Sequence, residues 1–217
     1  MDWQHLFRAW RLSAPLHKFG PPAAEEEIHR AEAKLGIRLP ESLRTLYRFC
    51  NGGDLLAGNL RIHPLECADD DFSLVTATDA MREYHWSVPE EVLQFGGNGS
   101  EETFGIWLPE TPGTPFDHPI LDTGEIFDAE SLAVVGTSLL PFLYYWTAYY
   151  VTLYEGETAA LDALGLPEPL RSDPYDVDMP ALCAWADPNL PDHAPNLYER
   201  GLDAEGLWTL FGGRRGA

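Results

Sequence analysis

"FGGNGSEETFGIW", residues 95–107, places three glycines within four positions, follows them with two glutamates and then alternates into an apolar run. If the glycines open a helix and cradle a phosphate, a nucleotide fold follows; if they turn the chain between two strands, the sheet is antiparallel. The residues favour the turn. No Gly-Lys-Ser/Thr comes next, and Gly97, Gly99 and Glu102 read G-x-G-x-x-E where a dinucleotide fingerprint needs a final glycine. Glu101 and Glu102 would also repel an anion. We therefore expect a hairpin, with "LQF" leading in, Gly96 to Ser100 turning, and "TFGIWL" returning with Phe104, Ile106 and Leu108 on one face.

Upstream, "EEEIHRAEAKLG" (25–36) reads as a helix, with Ile28, Ala31 and Leu35 on one face, glutamates in the first turn and Gly36 as its stop. In "LPESLRTLYRFCNGG" (39–53), Pro40 suits the first helical position, Leu43, Leu46, Tyr47 and Cys50 form a stripe, and Asn51, Gly52 and Gly53 end it. "NLRIHPL" alternates through Leu60 and Ile62, and Pro64 predicts an edge or terminal strand. A capped helix is expected over 78–84, a single turn at Pro89, two small strands around "DTG" at 119–121 and 125–127, and a strand in "LAVVG".

"TSLLPFLYYWTAYYVTLYEG" is the strongest later helix, capped by Ser138, with Leu139, Phe142, Trp146, Tyr149 or Tyr150, and Leu153 on one face. Its tyrosines exceed what one face needs. Residues 167–195 hold seven prolines and are expected to wrap irregularly, anchored by Leu182 and Trp185; a last helix is expected over 203–211. At the other end, Trp3, Leu6, Phe7 and Trp10 predict a packing helix without the basic start of a secretion signal. Strands between helical ends indicate α+β, a twisted and mainly antiparallel sheet flanked by helices, with an irregular proline-rich C-terminal extension.

A chain of 217 residues, 45% hydrophobic, has material for a real core. Its net charge is −21; residues 1–100 carry 15 acidic and 10 basic side chains, whereas 101–217 carry 20 and 4, so most of the imbalance lies in the second half. Such a field disfavours nucleic acid and anionic lipid and favours a basic protein partner. Cys50, Cys67 and Cys183 are too far apart for a metal pair and odd in number, as expected of buried thiols in the cytoplasm.

The search for chemistry finds scattered histidines, no H-E-x-x-H, no C-x-x-C and no G-x-S-x-G. Asp117 and His118 read as a polar turn. No catalytic residue, metal ligand or cofactor is assigned. A surface contact is expected instead at Asp69, Asp70, Asp71, Glu101, Glu102 and Trp107, where carboxylates surround an exposed aromatic anchor.

Taken in order, "EEEIHRAEAKLGIRLPESLRTLYRFCNGG", "LRIHPL", "VPEEVLQFGGNGSEETFGIWL" and "VVGTSLLPFLYYW" resemble the SUKH superfamily of cell-wall regulators and bacterial immunity proteins, over roughly residues 22–153. Many members have Gly-Asp just after the glycine loop, where Glu101 and Glu102 stand here. The resemblance implies an α+β fold and binding without catalysis: an immunity protein that occludes a cognate, basic toxin domain, such as a nuclease. The alternatives are a regulatory scaffold of cell-wall signalling and a hydrolase with paired carboxylates. The expected organisation is a packing helix over 1–20, a SUKH-like domain over 21–155 and a helical, proline-rich extension over 156–217 on the same domain, in a cytoplasmic monomer.

Overall fold

The computed structural model describes residues 1–67, 72–84, 90–99, 102–108, 118–123, 133–154, 158–171 and 176–190. The turn at Pro89, the strand at 125–127 and the helix at 203–211 lie outside them. Along the chain come α1 (Trp3–Leu12), β1 (Lys18–Phe19), α2 (Glu25–Leu35), α3 (Glu41–Phe49), β2 (Gly53–Leu55), β3 (Leu60–Ile62) and α4 (Leu74–Tyr84). They are followed by β4 (Val92–Gly97), β5 (Thr103–Trp107), β6 (Ile120–Asp122), β7 (Ala133–Gly136), α5 (Leu139–Leu153), α6 (Thr158–Leu164) and α7 (Met179–Ala186). The strands form one sheet in chain order, each antiparallel to the next, so the fold is α+β.

The glycine-loop hairpin is β4–β5, with Val92 opposite Trp107 and a bulge between Gln94 and Gly96. Gly96 and Gly97 are strand residues rather than turn residues, and Asn98 is the first residue past the strand. Side chains alternate across the pleat. Leu93, Phe95, Phe104 and Ile106 join the main core under α5, where Phe104 meets Phe142 and Trp146 at 5.1 and 5.4 Å between ring centroids. By the strand pairing, Val92, Trp107, Leu121 and Val134 share the opposite face, and they too are buried.

Several expectations shift. Strand β3 lies inside the sheet, because Pro64 falls beyond its end and its missing N–H is not needed on the ladder. Helix α4 begins at Leu74, four residues earlier than expected, since the Ser73 hydroxyl accepts from the Thr76 N–H at 3.1 Å and supplies the cap. Pro40 is the N-cap of α3 rather than its first residue, and Ser138 caps α5 by position without a side-chain hydrogen bond. The proline-rich stretch is not irregular throughout: residues 179–186 form α7, with Pro180 in its first turn, where a missing donor costs nothing, and the Asp178 carboxylate capping the Ala181 N–H at 3.0 Å. Leu182 is buried there, and the Trp185 ring packs 6.0 Å from Tyr144. Cys67 is exposed, unlike the buried Cys50.

Two of the glutamates of α2, Glu25 and Glu32, are consumed internally. Arg44 on α3 is only 8% exposed and pairs at 2.9 Å with both Glu25 and Glu32, while Glu32 also accepts the Leu39 N–H at 2.9 Å. Hydrogen bonds first from Arg48 and then from Arg44 hold the Glu25 carboxyl down at about 2. These pairs fix the two helices against each other.

His17 and His63 are buried, and desolvation pushes both imidazoles down to about 4, with Arg61 adding to the effect at His63. The Leu56 N–H donates to His17 Nδ1 at 3.4 Å, and Nε2 lies 3.0 Å from Ser13 Oγ, whose O–H donates to the Ala9 carbonyl; this chain of bonds fits a neutral ring protonated on Nε2. In the unfolded chain imidazole titrates near ~6.5. Above that pH both states are neutral and the histidines cost nothing. As pH falls from there toward ~4, the unfolded chain binds protons that the folded chain refuses, so stability declines, on the order of 3 kcal/mol per histidine at most. Urea midpoints at neutral and mildly acidic pH should show this fall, and His63→Phe should remove about half of it; parallel profiles for the two proteins would contradict the assignment.

Candidate interaction site

The surplus tyrosines of α5 define a groove. Residues four apart lie one above another on a helix. Tyr145 accordingly stacks on Tyr149 with planes 6° apart, and Trp146 on Tyr150 with centroids 5.4 Å apart. Met179 and Cys183 of α7 supply further lining, and the Tyr145 O–H donates to Met179 Sδ at 3.6 Å. The hairpin loop contributes Asn98 and Glu102, and a cavity of about 270 Å³ opens between these elements.

Glu102 is held at this cavity by the loop itself. The Asn98 N–H donates to the Glu102 carbonyl at 3.0 Å, the Asn98 amide donates to the Glu102 carboxylate at 2.8 Å, and the Glu102 N–H returns to Asn98 Oδ1 at 3.2 Å. A second carboxylate, Asp187, lies just past α7 and is buried; its two oxygens accept the N–H and the hydroxyl of Thr137 at 2.6 and 2.7 Å, which pins α7 to the end of β7. Burial raises the phenols of Tyr145 and Tyr150, the latter to about 12, and neighbouring phenols and Glu102 act on Tyr150 in the same direction. Cys183 is pushed up to about 11 by burial and then by Asp187, so its thiol is protonated at neutral pH and a poor nucleophile. Among the described residues lining the cavity none is basic.

A second cavity, about 160 Å³, involves the hairpin glycines, Glu102 and His63. Among the described residues neither ring nitrogen of His63 finds a hydrogen-bond partner, and Phe72, itself 65% exposed, stacks on the ring at 6.0 Å.

Asp69, Asp70, Asp71 and Glu101 lie outside the described residues. Glu102 is at the groove. Trp107 is corrected: it is 1% exposed, not an exposed anchor, because it shares with Val92 a sheet face that is itself buried. The rings that do line a cavity, Tyr145, Trp146, Tyr149 and Tyr150, are marked in the sequence only as a surplus of tyrosine. Among the described residues no group of three or more His, Cys, Asp or Glu is placed to hold a metal ion, and no helix is long and apolar enough to cross a membrane.

Residues 22–146 match the family model of the SMI1 / KNR4 family (SUKH-1). The chain belongs to this family. No curated protein matches the chain significantly. The SUKH-1 match ends within α5, so the groove straddles its boundary: Asn98, Glu102 and Trp146 lie inside, whereas Tyr149, Tyr150 and all of α7 lie outside. Helices α1 and α6 are also outside it, yet Trp10, Leu161 and Leu182 pack into one core with the SUKH-1 residues Tyr47 and Phe104.

Proposed function

We propose that this SUKH-1 protein is a non-enzymatic, cytoplasmic immunity protein that binds a basic toxin domain in one-to-one stoichiometry and neutralises it by covering its working surface. The SUKH family is known for immunity and cell-wall related roles, and its members are generally not enzymes. The observation that carries the reading is the acidity of a family member: a net charge of −21, concentrated after residue 100, in a family whose proteins bind toxins. A surface of that sign speeds encounter with a cationic protein and competes with the phosphates that a nuclease grips.

The test is co-expression with the product of the adjacent gene. A stable one-to-one complex should form and toxicity should disappear without turnover of either chain. Association should slow by about tenfold or more between low and high salt, as steering by charge requires. Toxicity that persists at molar excess, with no complex on size exclusion, would reject the reading.

A further inference from the structure

We propose that the small cavity beside β3 and β4 takes a carboxamide, the side-chain amide of an asparagine or glutamine on a partner protein, which pairs with the edge of the His63 imidazole and with the Gln94 amide. The contact needs no charge on the partner, so it goes beyond the immunity reading and does not depend on it.

Three observations converge. The first is an unmet need for hydrogen bonds. His63 is only 6% exposed, yet neither ring nitrogen finds a partner among the described residues, and buried polar groups are rarely left so. Its main chain is fixed on both sides: the His63 N–H donates to the Phe95 carbonyl at 2.9 Å, and its carbonyl accepts the Tyr47 hydroxyl at 3.0 Å. Gln94 lines the same cavity. Its main-chain N–H donates to Thr78 Oγ1 at 3.1 Å, but its side-chain amide bonds to nothing among the described residues.

The second is the kind of group these two would match. Burial, and then Arg61, keep the imidazole neutral at neutral pH, so it offers one N–H donor and one acceptor nitrogen. A carboxamide carries both kinds of group and can also pair head to tail with the Gln94 amide. A carboxylate has acceptors only and an ammonium donors only, so each leaves part of the cavity unpaired. Neither sign of charge is called for, because Arg61 is already paired with Asp54 at 2.9 Å and Glu102 with Asn98 at 2.8 Å.

The third is shape. The space is about 160 Å³, well below the ~300 Å³ at which sites for whole small molecules begin, and Gly96, Gly97 and Gly99 leave part of its wall as bare main chain. Phe72 also lines it, 65% exposed and at φ +72°, a backbone region that residues other than glycine seldom adopt. An exposed apolar ring on a strained main chain, set against an imidazole with unpaired nitrogens, has the composition of a surface that a partner covers. Its stacking at 6.0 Å occupies one face of the imidazole and leaves the edge, where the nitrogens lie. So exposed a side chain rotates quickly and can admit the ligand.

The test uses the full chain and three capped tripeptides, Gly-Gln-Gly, Gly-Glu-Gly and Gly-Met-Gly, followed by proton–nitrogen NMR of the histidine rings and side-chain amides. The glutamine peptide should shift the His63 ring nitrogens and the Gln94 side-chain amide together, and saturably. Glutamate and methionine, of similar length but without an amide, should bind about tenfold more weakly. His63→Phe, which keeps an aromatic ring without nitrogens, should abolish the preference for glutamine, and Gln94→Met should lower it several-fold. A glutamate or methionine peptide that binds as well as glutamine overturns the proposal, as does a glutamine peptide that leaves the His63 nitrogens unmoved. The peptide comparison needs no variant, so a misfolded mutant does not blunt it. A protein that binds the glutamine peptide but no toxin keeps this site and loses the immunity reading, whereas a toxin complex with no response of His63 to the peptides does the reverse.

Discussion

Trp10→Ala should cost about 3–5 kcal/mol of stability, a large share of the ~5–15 kcal/mol that holds a domain folded. Trp10 lies outside the SUKH-1 match, and a view of residues 1–21 as an appendage predicts almost no effect. The packing argues otherwise. Trp10 is fully buried, its ring lies within 6 Å of Phe7, His17, Phe19 and Phe49 between centroids, and its Nε1–H donates to Thr147 Oγ1 at 2.8 Å. The Thr147 hydroxyl in turn donates to the Leu143 carbonyl at 2.6 Å, so the indole is stitched to the middle of α5. Nearby, the Tyr144 hydroxyl donates to the Asp2 carbonyl at 2.8 Å and accepts the Asp2 N–H at 3.2 Å. Alanine would remove the ring, leave a cavity and withdraw a donor from Thr147. Urea unfolding followed by circular dichroism measures the loss, and Trp10→Phe, which keeps an apolar ring but not the donor, should recover most of it. A cost for alanine below about 1 kcal/mol, the scale of an ordinary surface change, would show that α1 is not part of the folding unit.

Gly96→Ala should be the second most damaging change, at about 3 kcal/mol, and should exceed Gly99→Ala at about 1 kcal/mol. The two glycines do different things. A Cβ on Gly96 would stand 2.2 Å from the carbonyl oxygen of Arg61, which is backbone, and Gly96 is paired with Ile62; the β3–β4 ladder would have to open to admit it. Gly99 sits at φ +77° in the loop, so alanine there mainly forces an unfavourable left-handed backbone. Urea midpoints of the two variants rank the effects. If Gly99→Ala proves the worse, close approach of the strands is not what the first glycine serves. The opening stretch thus contains glycines for a bulged ladder and a tight turn, and its second glutamate closes that turn with Asn98.

The order of elements was readable because each carries its own period. Phe104 and Ile106 alternate, Leu43, Leu46 and Tyr47 repeat at helical spacing, and the structure buries both sets. The phase of α5 was not readable. Its fifteen residues are almost uniformly apolar or aromatic, so no polar face sets a direction. Leu139 and Phe142 of the expected stripe are buried, but the buried face continues through Leu143, Thr147 and Val151, and Trp146 and Tyr150 line the groove. Helix α7 was hidden by the prolines around it, because a count of proline over a window does not register that Pro180 falls in a first turn, where a helix accepts it. The same limit misplaced Trp107: alternation assigns it to the face away from Phe104, but says nothing of whether that face meets water.

What the sequence determined by itself is the α+β class, the antiparallel hairpin in place of a phosphate loop, the sign of the surface charge and the family, because all four reside in residue types and short spacings. The groove, the burial of Trp107 and the union of α1, α6 and α7 with the rest in one core belong to the tertiary structure. They depend on contacts such as Trp10 with Thr147, 137 residues apart, and a local period fixes which way a side chain points but not what arrives to cover it.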